Sequence, residues 1–468
     1  MTASTQAAPS LHQTLALLFP QARERAALLG RPVLVSLAQS IDWPLAPLVT
    51  FAAGKRLGVP RIFWGRPADR FWLVGLGRAA QVAPAGPAPA RQTQDGWRSL
   101  VDGAVLQGPR LRGVGPLLMG GFCFDPTVAK DALWGDFPDA LLALPHLMFT
   151  WEGGKTWLTA NVMVGPSEDP QEAAAAAERA LESVAGGQEI PRRQPASCLG
   201  EETLPEEWRR RMEAALQAID GGELSKVVLA RRKELRAVAP FSLEATLGSL
   251  EETYPGCAVF AVESGGSCFL GASPESLVQL HGGELSLTCM AGTAARSESA
   301  DADDSLADAL LSSSKERREH AAVVEQVALE LRDLCQELCW EAQPKVVRLR
   351  GVQHLATAFF GRALEGKDIL DMVAALHPTP AVGGAPKAAA LEVIRRLEGD
   401  RGWYAAPIGW LDAQGQGEFW VGIRSALVRG SQATLYAGAG IVEGSNSLQE
   451  EQETELKFQP LLKALGQA

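Results

Sequence analysis

The 468-residue chain has no CxxC pair, no run of eighteen apolar residues, no stripe of basic side chains and only six histidines. Each absence removes a class of function. Seven cysteines are scattered at 123, 198, 257, 268, 289, 335 and 339, an odd number without framework spacing. That argues against a disulfide scaffold and suits a reducing compartment. Cys335 and Cys339, beside Leu334 and Leu338, are expected as buried thiols on a helix face, not as a redox or zinc pair. With no long apolar run, no membrane span is expected. The N-terminal stretch has no basic start before its apolar residues, and Pro20 and the arginines after it break that run. It does not read as a signal peptide, so a cytoplasmic protein is expected. Lys and Arg number 44 against 55 Asp and Glu, a formal net charge of −11. Without clustered Lys and Arg, nucleic acid is not an expected partner. Small molecules or other proteins remain. GGAPK (383–387) lacks both the Walker spacing and the Ser or Thr after its lysine, so it is not a phosphate loop. No fixed-period repeat is present.

What is there is a soluble globular composition, 46% apolar and 21% charged, long enough to bury a core without metal or disulfide staples. VAPAGPAPARQ (82–92) reads as a Pro/Ala loop, and an Ala-rich helix near 171–184 leads into a linker near 186–200. The N-terminal portion, 1–200, shows strands such as RPVLVSLAQ, RIFWG, LLMGGFCFD and KTWLTANVMVG, with few obvious helices. The portion 201–468 opens with the helix PEEWRRRMEAALQAID, stopped by Gly221 and Gly222, and continues with short β-branched strands. A long helix is expected over about 312–341, capped by Ser313 or Ser314, with Val323, Val327, Leu331, Leu334 and Leu338 as its buried stripe. Further helices are expected near KDILDMVAAL, PKAAALEVIRRLE and LQEEQETELKFQPLLKAL. Runs of strands followed by helices indicate an α+β fold with antiparallel sheets.

Three groups of residues could carry chemistry. Glu316 and Glu319 lie three apart on one helix, as do Glu450 and Glu453 on the last helix, so each pair shares a face. Facing each other they would make an oxygen-rich site suited to Mg²⁺; apart, they are solvated helix faces, and spacing does not decide whether the helices meet. Lys226 precedes the apolar run VVLAR, where desolvation disfavours an ammonium, and Glu275 follows the turn Gly271–Pro274. The pair could serve as base and acid, or be a strand-edge lysine and a turn residue. AGT (291–293) and AGAGIV (437–442) are turns where backbone N–H groups could approach an anion. Arg424, on an otherwise apolar strand, could face a substrate carboxylate or an internal partner. His354 and His377 read as pocket hydrogen-bonders, and His320 as a helix residue.

Taken together, SKVVLARR, FLGASPESLV, CMAGTAAR, SSSKERREHAAVVEQV, VQHLATAFFG, ALHPTPAVGGAPK, GWYAAPIGWLD, GEFWVGIRSAL and AGAGIVEGSNSLQEEQETELK resemble the chorismate-utilising enzymes in content and order. The resemblance runs from about Glu206 to Leu465, and GGFCFDPT (120–127) is similar to a further family segment. It implies two stacked antiparallel sheets flanked by helices around a deep cleft. It implies Glu319 and Glu453 as Mg²⁺ ligands, with Glu316 and Glu450 helping through water and the metal holding the ring carboxylate of chorismate. Arg424, Tyr404 and the backbone of Gly438, Ala439 and Gly440 would hold the enolpyruvyl carboxylate. Gly292, Thr293, His354 and Lys457 would line the pocket. Within the family, water-adding members carry lysine where Lys226 stands, and aminodeoxychorismate synthases carry lysine where this chain has Ala291. HPTPAV (377–382) is closest to the isochorismate synthases, whereas GAPK also occurs in ammonia-using members. The implied activity is chorismate to isochorismate, with no glutaminase partner. The alternatives are a salicylate synthase, an ammonia-using synthase and an inactive chorismate-binding homologue.

Overall fold

The computed structural model describes residues 10–166, 170–187, 189–190, 196–201, 203–297, 299–348 and 352–466. Among these residues the strands form two large sheets, of thirteen and ten strands. Every pairing is antiparallel except that of Val33–Ile41 with Val105–Gln107.

The larger sheet is joined from both ends of the chain. Lys226–Ala237, Gln432–Val442, Ser425–Arg429, Ser267–Ser273 and Ala258–Ser264 lead directly into Arg61–Arg66, Phe71–Leu76, Leu147–Glu152, Lys155–Val164 and Val33–Ile41. Its strands read as near-continuous apolar runs because both faces are buried. Along Ala258–Ser264, Ala258, Phe260 and Val262 enter one core cluster while Val259 and Ala261 enter the other. The period of two along a strand sends alternate side chains to opposite faces. One cluster fills the space between the sheets, with Leu277, Val278 and Phe419 of the smaller sheet; the other lies beneath outer helices such as Leu11–Leu29 and Leu243–Thr253. The expected α+β architecture of two stacked sheets is therefore what the chain adopts.

Several local expectations are corrected. The helix Leu11–Leu29 was not apparent in the sequence: it starts with a Ser10/Gln13 capping box, buries Leu11, Leu15, Phe19, Ala22 and Ala26, and passes through Pro20. The Pro/Ala loop extends only to Ala88, because Pro89 begins the helix Pro89–Val101, where a missing N–H costs nothing. The long helix over 312–341 is in fact a helix and a strand, preceded by a separate helix. Ala300–Ser312 is one helix, Ser313 caps Ser314–Leu331 through Glu316 N–H, and Cys335–Trp340 is a strand paired with Val352–Ala363. Cys335 and Cys339 are thus strand residues, the first buried and the second exposed. The Leu334/Leu338 spacing continues a helical pattern, but pairing at the sheet edge takes that segment, with Glu337 at φ 55° inside a bulge. Ala196–Glu201, at the end of the stretch read as a linker, pairs with the Lys226–Ala237 strand, while 191–195 lie outside the described residues. Among the described residues no helix is long and apolar enough to cross a membrane.

Candidate active site

One cavity gathers the chemistry-bearing residues from both sheets and two helices. Lys226 and Val228 come from one strand of the larger sheet and Gly438, Gly440 and Val442 from its neighbour. Met290, Ala291, Gly292 and Thr293 with His354 come from paired strands of the smaller sheet. Glu316 and Glu319 enter from the helix Ser314–Leu331, and Glu450, Glu453 and Lys457 from the helix Ser447–Ala464. Glu275, Tyr404 and Arg424 complete the wall. The two glutamate pairs, whose meeting spacing alone left open, share this cavity.

Two lysines hold two of those carboxylates. Lys226 Nζ donates to Glu319 Oε1 at 2.6 Å, and Lys457 Nζ donates to Glu453 Oε1 at 2.5 Å and to the Gly438 carbonyl at 2.7 Å. Burial would raise the Glu453 carboxyl, but Lys457 outweighs it and holds the group below its ordinary range. Burial draws Lys457 down in spite of Glu453. Glu316 and Glu450 are pushed up, first by burial and then by the charge of Glu319 and Glu453 respectively. As they stand, no three such groups among the described residues are gathered into a ligand shell.

The remaining polar groups are held more loosely or not at all. Burial pushes the Glu275 carboxyl up to about 7, against the pull of Lys226, Arg424 and Lys457, and among the described residues no hydrogen bond reaches it. Arg424, at φ 49°, is half-buried, its guanidinium has no hydrogen-bond partner among the described residues, and desolvation lowers it. Burial, with Arg424 and Lys457 nearby, brings the His354 imidazole down to about 4, so it is neutral. His354 Nδ1 lies 3.1 Å from Thr293 Oγ1 and 3.3 Å from the Gly292 carbonyl; a proton on Nδ1 suits the carbonyl and leaves Nε2 as an acceptor. Tyr404 is pushed up to about 12 by burial and stays a phenol. Gly438 and Gly440 keep the cavity floor open: a Cβ at Gly438 would stand 2.9 Å from the Tyr404 hydroxyl, and one at Gly440 3.1 Å from Lys226 Cε.

A family model described as chorismate binding enzyme matches residues 21–466. The chain belongs to the chorismate-binding enzyme family. Isochorismate synthase MenF of Bacillus subtilis is 36% identical over 93% of this chain and 94% of its own length. A salicylate biosynthesis isochorismate synthase of Pseudomonas aeruginosa is 37% identical over 96% of this chain and 93% of its own length. The structure of MenF, the menaquinone-specific isochorismate synthase of Escherichia coli, superposes with a TM-score of 0.79 at 28% identity, covering 96% of this chain and all of the other.

Not every expected site residue of this family member reaches the cavity. His377 does not line it; its Nε2 donates to the Phe124 carbonyl at 2.9 Å, and burial brings the ring down to about 4. Being the C-cap of the helix Ile369–Leu376, it is turned towards the scaffold behind the wall. Strand alternation sends the Ala439 side chain into the core, so only its backbone could serve beside Gly438 and Gly440. His320 is a helix residue bonded through Nε2 to Thr357 Oγ1 at 2.7 Å. The GAPK lysine, Lys387, serves the fold: it donates to the Ala375 carbonyl at 2.8 Å and pairs with Glu330. Conversely, Lys315, Arg401 and Ser445 line the cavity and were not singled out in the sequence. Lys315 was hidden inside the glutamate motif. Arg401 sits in the polar turn EGDRG, where an arginine carries no signal of burial.

Proposed function

We propose that this chain is an isochorismate synthase, converting chorismate to isochorismate by water addition at ring C2 and loss of the C4 hydroxyl. The observation that carries this reading is the presence of Lys226 and Glu275 in one cavity, with a small residue, Ala291, also in its wall. Lys226 acts as the base. Its free nitrogen takes a proton from water as the water oxygen bonds to C2. The ring double bonds shift, the C4–O bond breaks, and Glu275 gives its proton to the departing hydroxyl, which leaves as water. A carboxyl that titrates near 7 is suited to that acid role at neutral pH. Base action requires the contact between Lys226 Nζ and Glu319 Oε1 to open.

The donor set fits a hard divalent cation. Four carboxylates converge on one cavity, and two of them are pushed up, first by burial and then by their neighbours' charge, so added positive charge would be favourable. Glu319 and Glu453 would hold Mg²⁺ directly, with Glu316 and Glu450 acting through water. When bound, the ion supplies positive charge to the ring carboxylate. Arg424, whose guanidinium has no hydrogen-bond partner among the described residues, would take the enolpyruvyl carboxylate bidentately, beside Tyr404 and Lys457. Isochorismate without pyruvate, formed from chorismate and Mg²⁺ and lost on chelation, is the expected chromatographic result. Salicylate with pyruvate, or a product only when ammonia is added, would overturn it.

A further inference from the structure

The strand carrying Lys226 has an incomplete outer edge, and side chains complete it. Lys226 and Val227 pair with Ala385 and Gly384, and Lys233–Ala237 pair with Ala196–Glu201. Between those two partners the backbone would be left unsatisfied within the fold, which is costly for buried groups. Val228 N–H donates to the Gly383 carbonyl at 2.9 Å. The Val228 carbonyl accepts from Arg401 Nη2 at 2.6 Å, and Ala230 N–H donates to Glu398 Oε1 at 2.7 Å. Arg401 and Glu398 are joined to each other by two hydrogen bonds, Nε to Oε2 at 2.7 Å and Nη2 to Oε1 at 2.9 Å.

The same guanidinium ties in the other walls of the cavity. Arg401 Nη1 donates to the Val382 carbonyl at 3.0 Å, in the 381–382 segment that lines the cavity. Its Cζ lies 4.6 Å above the Phe124 ring, whose carbonyl receives His377. The Arg401 carbonyl accepts Tyr404 N–H at 3.1 Å. Both charges are almost wholly buried, with side-chain exposures of 2% and 5%.

We infer that the Glu398–Arg401 pair is a positioning device for Lys226, holding the base, the 378–383 segment and Tyr404 in one register. This inference rests on the reading of Lys226 as the base. Arg401 lines the cavity, yet its donors are spent on two carbonyls and a carboxylate, so its work is done through Val228 and not on substrate. A planar fork with several donors at fixed angles is required; an ammonium cannot reach all three acceptors at once. Displacing a reacting group by about an ångström lowers turnover on the order of a hundredfold without changing how substrate is held.

Steady-state kinetics on the full chain with chorismate and Mg²⁺ tests this, with thermal melting run alongside. Arg401→Lys is expected to lower kcat on the order of a hundredfold with KM within about threefold. Arg401→Ala should lose more, and added guanidinium at millimolar concentration should restore part of kcat. Should these variants not fold, Glu398→Gln keeps an acceptor for Ala230 and should still lower kcat about tenfold at unchanged KM. A rise in KM at unchanged kcat would place Arg401 on the substrate and overturn the inference. Folded variants with wild-type kcat would overturn it as well. Lys226→Ala, assayed in parallel, separates the two readings. If it is inactive while Arg401→Lys is unimpaired, only the positioning role falls; if it retains full turnover, the base assignment falls and takes this inference with it.

Discussion

Buried charge is treated in opposite ways in two regions of this molecule. Away from the cavity, Arg61 is fully engaged. Its guanidinium reaches Glu244 at 2.7 Å and Glu263 at 2.6 Å, donates to the Phe51 carbonyl and covers the Phe51 ring. Glu418, likewise buried, accepts from Arg66 at 3.0 Å, Arg112 at 2.8 Å and Trp420 Nε1 at 3.2 Å. Burial would raise the Glu418 carboxyl, yet Arg112 and Arg66 hold it below its ordinary range. In the cavity, Glu275 and Arg424 are half-buried, and among the described residues no hydrogen bond reaches their charged ends. A charge that supports the fold is closed on itself, whereas a charge kept for a ligand leaves its bonding capacity open.

Substitutions can break or sharpen that contrast, and the largest effect is expected at Lys226. Lys226→Ala should cut turnover by about 10²–10⁴ while the urea midpoint moves little. Unfolding as severe as that from removing Glu418 would mean the lysine is structural. At the closed site, Glu418→Ala leaves two arginines without their carboxylate and should cost about 3–5 kcal/mol, read as a lower urea midpoint at unchanged m. Its kcat per folded molecule should stay at the wild-type value, and a fall in kcat would blur the distinction.

Arg424→Ala should raise KM about 10–100-fold, the worth of a charged hydrogen-bonded contact, with stability unchanged or improved. A marked loss of stability would reveal a structural partner. An effect of opposite sign on stability is expected for Glu275→Gln. The wild-type carboxyl titrates near 7 in the folded protein against an ordinary 4.5, so the folded state binds the extra proton between those values. Wild-type stability therefore falls as pH rises through that window, and the glutamine variant does not share the loss. At pH 8 the variant should be the more stable by at most about 3 kcal/mol, with no difference below pH 4.5. Its turnover should be lost at both pH values, and wild-type kcat should decline as pH rises above about 7.

How much of this was legible depended on the range of each interaction. Lys226 and Glu275 stood out because a charged group next to an apolar strand or a tight turn is a local anomaly. The glutamate pairs were visible as faces of two helices, and the ordered blocks of the C-terminal two thirds carried the family resemblance. AGAGIV was read as a turn where the chain continues as a strand, and alternation turns the Ala439 side chain away from those of its neighbours. His377 lies beside the cavity segment in sequence but caps a helix and faces the scaffold. Cys335–Trp340 carries a helical spacing with no Gly or Pro to mark the stop; its pairing with Val352–Ala363 could not be seen locally. The helix Leu11–Leu29 was masked by Pro20, although its Ser10/Gln13 capping box was there to be read.

By itself the sequence determined the α+β class, the approximate limits of five helices, the two carboxylate faces and the lysine and glutamate of the candidate chemistry. These follow from periodicity, capping and charge in an apolar context, which act over a few residues. Only the tertiary structure decided that the two helices face one cavity, that Lys226 holds Glu319, and that Arg401 supports the Lys226 strand. Those facts join residues from 93 to 173 positions apart for the Lys226–Glu319 and Arg401–Val228 contacts, so no local pattern encodes them. They arise because stacking two sheets between helices brings strand edges and helix faces together, and buried polar groups must then find partners where the fold places them.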